Sequence, residues 1–217
     1  MLAGTAKVDI TPEGPVWMEG MLREHPSEGV HDPLFARALV LGNDDGLSSA
    51  GVLVSVDVCT LRKEDMDLLR ARIEQTVGIP ASRIVVAGTH THSGPAVVGN
   101  LMPRASEYAE ATWLPRLLQV VQEAAGNLLP SRLGYGSGRE ATISHYRRLL
   151  ADDGSVVMNW EPYPQEHIVR PLGQIDPEVG VLQVVDRHGQ KLCLLFNHAG
   201  HPNVLSGDNS LLRAEYP

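Results

Sequence analysis

The sequence predicts an α/β fold built on a mixed sheet. A βαβ unit is expected in the N-terminal half and shorter antiparallel strands in the C-terminal half. Three observations carry this expectation. The apolar run AGVLVSVDV (50–58) is followed by a helix-period segment and then by a second apolar run, RIVVAG (83–88). Beyond residue 131 the apolar runs are short and are separated by turn signals such as ADDG (151–154) and DRHG (186–189). Hydrophobic residues are 43% and charged residues 20% of 217, which is enough for a packed core and excludes a disordered chain.

AGTAKVDI (3–10) reads as a first strand, stopped by Thr11-Pro12. Residues 13–33 are rich in Gly, Pro and Met without a period and read as a loop. FARALVLG (35–42) and AGVLVSVDV form a hairpin around NDDG (43–46). In KEDMDLLRARIEQTVG (63–78), Met66, Leu69 and Ile73 recur at helical spacing, and Gly78 with Pro80 ends the helix. RIVVAG, almost wholly apolar, reads as a strand buried on both faces. A second helix spans 105–126, with Tyr108, Leu114, Leu117 and Val121 on its apolar face. Pro115 implies a kink or a late start. RLGYGSG, ATISHY, SVVMNW, VGVLQVVD and KLCLLFN read as short strands. No repeat or linker divides the chain, so 1–217 reads as a single domain.

A net charge of −8 excludes a nucleic-acid groove, whose affinity depends on clustered Lys and Arg. Cys59 and Cys193 are too few for a disulfide framework and read as buried free thiols with no base beside them in sequence. No signal peptide or membrane-spanning run is visible, so the expected location is cytoplasmic. The oligomeric state is not readable from the chain.

The chemistry concentrates in IVVAGTHTHSGP (84–95). His90 and His92 follow the second strand of the βαβ unit, at the sheet edge where open α/β sheets bind ligands. If extended geometry continued through them, their side chains would share a face, with Cα atoms about 6.6 Å apart. That spacing suits a metal site or a proton-transfer site; two satisfied loop imidazoles are the alternative. The stretch lacks the Asp-His that follows H-x-H in metallo-β-lactamase-like hydrolases. It also comes three strands too late for an amidohydrolase barrel. A second strand runs into LLFNHAGHPNVL (194–205), where Pro202 biases His201 towards extended backbone. One His from each strand end would supply two ligands of a zinc site. His25, His31, His167 and His188 read as surface residues, and His145 sits beside Arg147 and Arg148, which could hold an anion. Asp57, inside an apolar strand, must be paired; it is either a partner of a metal-bound His or a structural ion.

Together AGTAKVDITP, GVHDPLFARALVL, VSVDV, GTHTHSGP, DPEVGVLQVVD and FNHAGHPNVL resemble, in that order, the N-terminal catalytic domain of the neutral/alkaline ceramidase family. The resemblance spans the chain, and GTHTHSGP is its most specific element. It implies a zinc-dependent hydrolase that cleaves the amide of ceramide to sphingosine and a fatty acid. It implies His90 and His201 as zinc ligands, His92 as a catalytic residue beside the metal, and Arg147 as a contact to the reacting group. The remaining ligands of the family, a Glu and a Tyr, lie downstream of the HP segment. This chain stops at RAEYP, inside what resembles a continuing motif, so the expectation is a C-terminally truncated domain. Glu215 and Tyr216 match another part of the family pattern and are not assigned as ligands. Ceramide would need an apolar groove, for which AVVGNLMP (96–103) is a candidate lining or an ordinary loop. A small non-lipid amide or ester is the alternative substrate, and a non-catalytic domain the alternative class.

Overall fold

A computed structural model of the chain describes residues 1–205 and 207–215. Strand β1 (Leu2–Asp9) ends just before Thr11-Pro12, and the Gly/Pro-rich segment after it is irregular apart from the two-residue β2 (Gly29–Val30). β3 (Phe35–Gly42) runs antiparallel to β1 along its whole length, from Leu2 opposite Gly42 to Asp9 opposite Phe35. β4 (Gly51–Val56) returns against β3 as the NDDG turn predicts.

Helix α1 (Lys63–Val77) buries Met66, Leu69 and Ile73, the stripe expected from their spacing. It ends on Gly78, whose φ of +84° is left-handed. A side chain in that conformation costs about 1 kcal/mol. Gly78→Ala is therefore expected to lower unfolding free energy by about 1 kcal/mol in a urea titration. An unchanged midpoint would mean that the cap is not formed.

β5 (Ile84–Gly88) lies parallel to β4, with Val52 opposite Ile84 and Val56 opposite Gly88, which completes the βαβ unit. The expectation that β5 is buried on both faces is corrected: it is the sheet's edge strand, and Val85 is 53% exposed. An apolar run reports strand character but not whether a second layer covers both faces.

The second helix is segmented. A short α2 (Ser106–Tyr108) leads into a π-helical turn, Ala109–Trp113, and then into α3 (Leu114–Gly126), with Pro115 in its first turn. Proline has no N–H to give to the preceding turn, and the wider π turn removes that demand. Trp113, Leu117, Val120, Val121 and Ala124 pack with Ile73, Val40 and Val54 in one core.

The later strands are β6 (Leu129–Arg139), β7 (Arg148–Ala151), β8 (Val156–Met158), β9 (Ile168–Pro171), β10 (Glu178–Asp186), β11 (Lys191–His198) and β12 (Leu211–Leu212). A mixed seven-stranded sheet has the order β11-β10-β6-β1-β3-β4-β5, and a separate antiparallel sheet has the order β8-β7-β9. Strands outnumber helices, as the predicted class requires. ATISHY (141–146) is not a strand, contrary to expectation. Its Ser144 hydroxyl instead donates to the Ala199 carbonyl at 2.9 Å, so a side-chain bond takes the place of a ladder.

The chain divides into two compact units. One comprises Met1–Arg132, Val184–Cys193 and Pro202–Pro217, and the other Leu133–Gln183 and Leu194–His201. In the first, β12 pairs parallel with β2, Leu212 opposite Val30, and this brings the residues after Leu212 to the THTH loop. No helix among the described residues is long and apolar enough to cross a membrane.

Candidate metal centre

His90 and His92 do meet, but not by strand alternation. β5 ends at Gly88, and His90 has a φ of +68°. The turn brings the two rings edge to face, with centroids 5.0 Å apart and planes at 78°. The backbone N–H groups of Thr89 and His90 are held by the Val56 and Val58 carbonyls, 2.9 and 3.0 Å away, so the ends of β4 and β5 carry the site together.

A carbonyl can only accept, so the 2.8 Å contact between His90 Nδ1 and the Cys59 carbonyl fixes the ring proton on Nδ1. His90 Nε2 is then left with its lone pair, and it lies 3.5 Å from His92 Nε2. Two imidazoles on one tetrahedral zinc, each about 2.0–2.1 Å from it, place their nitrogens about 3.4 Å apart. The pair therefore fits a shared ion, and equally a ligand with a neighbouring proton carrier.

Cys59 completes the group. Its Sγ and the ring nitrogens of His90 and His92 lie within 4.8 Å of one another, a cluster able to hold a metal ion. Cys59 is a free, buried thiol as expected, but it does have an imidazole beside it, His90 Nδ1 at 3.7 Å. Thirty-one residues separate the two in sequence, so adjacency along the chain could not show the contact. That nitrogen is already bonded to a carbonyl, and burial pushes the thiol up to about 11. The Nε2 pair is accordingly the stronger donor set. Cys193 is only half-buried.

His92 is 6% exposed. Gly20, with a φ of +100°, lies against its ring: a Cβ there would fall 2.6 Å from His92 Cγ. The His92 backbone is gripped on both sides of its Cα. Its N–H donates to Glu215 Oε2 at 2.7 Å, and Arg23 Nη2 donates to its carbonyl at 2.8 Å. Burial lowers the Arg23 guanidinium below its ordinary value, an effect that Glu215 and Asp208 oppose. Neither Arg23 nor Glu215 was singled out by sequence reasoning as a support of His92. Tyr216 lies outside the described residues.

In the second unit, Arg147 Nη1 donates to His201 Nδ1 at 3.2 Å, and its guanidinium sits 5.5 Å from the centre of the Trp160 ring. His198 lies 3.1 Å from Ser144 Oγ. Asp57 is fully buried and takes the structural alternative: it accepts from Arg37 at 3.0 and 3.2 Å and from the Phe35 N–H at 2.8 Å. Among the described residues, His25, His31 and His188 make exposed contacts to sequence neighbours, and His167 makes an exposed contact to Asp152.

The sequence pattern of the neutral/alkaline non-lysosomal ceramidase N-terminal domain matches residues 1–215. The chain belongs to that family. It is 27% identical over 221 aligned residues to the neutral ceramidase of Pseudomonas aeruginosa, covering 96% of this chain and 31% of that protein. The crystal structure of neutral ceramidase from Pseudomonas aeruginosa superposes with a TM-score of 0.76 at 24% identity, over 98% of this chain and 34% of the other. A ceramidase complexed with C2 gives a TM-score of 0.79 at 26% identity, over 98% of this chain and 33% of the other. The chain thus spans about a third of the length of the family members it matches.

Proposed function

We propose that the protein is a zinc-dependent hydrolase of linear amides, of the ceramidase type, acting on an N-acylsphingosine to release sphingosine and a fatty acid. One observation carries the reading. In a family named for this chemistry, His90 is bonded through Nδ1 to a backbone carbonyl and turns Nε2 to the Nε2 of a buried His92.

Zinc, when bound, supplies Lewis acidity towards the amide carbonyl and acidifies water. His90 and His201 are the ligands that the resemblance assigns. His92, its backbone clamped on both sides of the Cα and its ring backed by Gly20, carries a proton to or from the reacting group. Arg147 stabilises negative charge on the carbonyl oxygen. Residues 1–217 form the catalytic N-terminal domain in this reading, and the molecule works in the cytoplasm.

Elemental analysis of the 217-residue chain is expected to find about one zinc per chain, lost in His90→Ala. N-acylsphingosine hydrolysis should fall at least about a hundredfold in the same variant, the scale of losing a group that acts in the transition state. A chain that binds no zinc and hydrolyses equally well without His90 would refute the reading. Hydrolysis confined to short acyl amides would move the substrate class and keep the chemistry.

A further inference from the structure

We propose that Arg23 and Glu215 form a charged clamp whose task is to position His92. The two residues lie far apart in sequence and close on the two peptide groups that flank the His92 Cα. Glu215 Oε2 accepts the His92 N–H at 2.7 Å, and its Oε1 accepts the Ser93 hydroxyl at 3.1 Å and the Leu205 N–H at 3.3 Å. Arg23 Nη2 donates to the His92 carbonyl at 2.8 Å, and Nη1 donates to the carbonyls of Gly207, at 3.1 Å, and Asn209. An anion on the N–H of the peptide before the His92 Cα and a cation on the carbonyl of the peptide after it hold those two planes more firmly than neutral partners do. The planes of the two peptides that flank the Cα set the direction in which the His92 side chain leaves the backbone.

The backbone conformation supports this assignment. Among the described residues, the non-glycine positions with a left-handed φ are His90, at +68°, and Glu215, at +59°. Both stand at this site, one carrying an imidazole of the pair and the other carrying the clamp's carboxylate. Such conformations persist where surrounding contacts over-determine them, and they gather at working sites. The route of the chain fits as well. β12 pairs with β2, and the Arg213 N–H donates to the Ser93 carbonyl at 3.0 Å, so the segment bearing Glu215 is tied down before it reaches His92. A segment needed only to cover a core could present an apolar residue here; this one inserts a carboxylate among the His92 and Leu205 N–H groups and the Thr91 and Ser93 hydroxyls.

The inference rests on the reading of His92 as a working residue, but its principal test does not depend on activity. In the unmodified 217-residue chain, the His92 amide proton is expected to exchange with solvent at least a thousandfold more slowly than an unstructured amide. Exchange at the unstructured rate overturns the clamp and requires no variant. In Glu215→Gln and Arg23→Lys, nitrogen NMR of histidine-labelled protein should show the His92 imidazole signals broadened or shifted, with far-ultraviolet dichroism unchanged. kcat on an N-acylsphingosine, counted per zinc-loaded folded molecule so that a smaller folded fraction cannot imitate the effect, should drop about tenfold with KM within twofold. Folded variants with parental imidazole signals overturn the proposal. Displaced signals in a chain that hydrolyses no amide support the clamp and count against the hydrolase reading alone.

Discussion

Gly20→Ala is expected to damage both stability and the candidate site more than any other single methyl group added near the THTH loop. A Cβ at Gly20 would lie 2.6 Å from His92 Cγ and 2.9 Å from Cδ2 and Nδ1, and the φ of +100° is itself hostile to a side chain. The left-handed backbone contributes about 1–2 kcal/mol. Overpacking against a buried ring adds about 1–3 kcal/mol. The imidazole cannot simply swing aside, because the peptides on both sides of the His92 Cα are held by Glu215 and Arg23 and the residue is 6% exposed. A loss of about 3 kcal/mol in urea unfolding is therefore expected. If the ring is pushed by even part of the overlap, hydrolysis should drop about a hundredfold, the scale of an ångström's misplacement of a reacting group. Gly14→Ala is the control, since a Cβ there meets nothing within 4 Å. Equal effects at the two positions would show that Gly20 does not back the His92 ring.

The βαβ unit was legible in the sequence because its signals are local. Met66, Leu69 and Ile73 state the buried face of α1, and Gly78 states its end. The two histidines were legible as a pair for the same reason, although the turn at His90, rather than strand alternation, brings the rings together. What supports the pair was not legible. Arg23 comes from a segment with no period, Cys59 from the end of the neighbouring strand, and Glu215 from near the end of the chain. Each reaches His90 or His92 through β-pairing or a loop contact, and a one-dimensional pattern does not encode such partners. Val85 shows the same limit, since composition reports that a residue is apolar and not what covers it.

Glu19→Ala is expected to cost about 3 kcal/mol, although Glu19 is a loop residue with no place in any sequence motif. Its side chain is 2% exposed. Oε2 accepts the N–H groups of Gly99 and Asn100 at 3.0 and 3.1 Å, and Oε1 accepts that of Leu101 at 3.1 Å. Each hydrogen bond to a charged group contributes about 1.5–3 kcal/mol. The full sum is not expected, because Gly99, Asn100 and Leu101 are exposed and water can reach part of what the carboxylate leaves. The same segment is the candidate groove lining named from the sequence. Ala96 and Val97 are buried in the fold, whereas Leu101 is 53% exposed at the tip. Glu19 thus pins the base of the loop through its tip amides, while the Glu19 N–H donates to the Gly94 carbonyl at 3.0 Å, directly after the histidine pair. Glu19→Gln separates charge from shape. Its carbonyl oxygen keeps one acceptor, but its amide nitrogen meets an N–H that it cannot accept, so about half of the loss should remain. Urea midpoints give the stabilities, and amide exchange at residues 99–101 gives the local effect. If Glu19→Gln loosens these amides while the His92 amide stays protected, the loop is anchored independently of the clamp. If both are released together, Glu19 belongs to the same mechanical unit as Arg23 and Glu215.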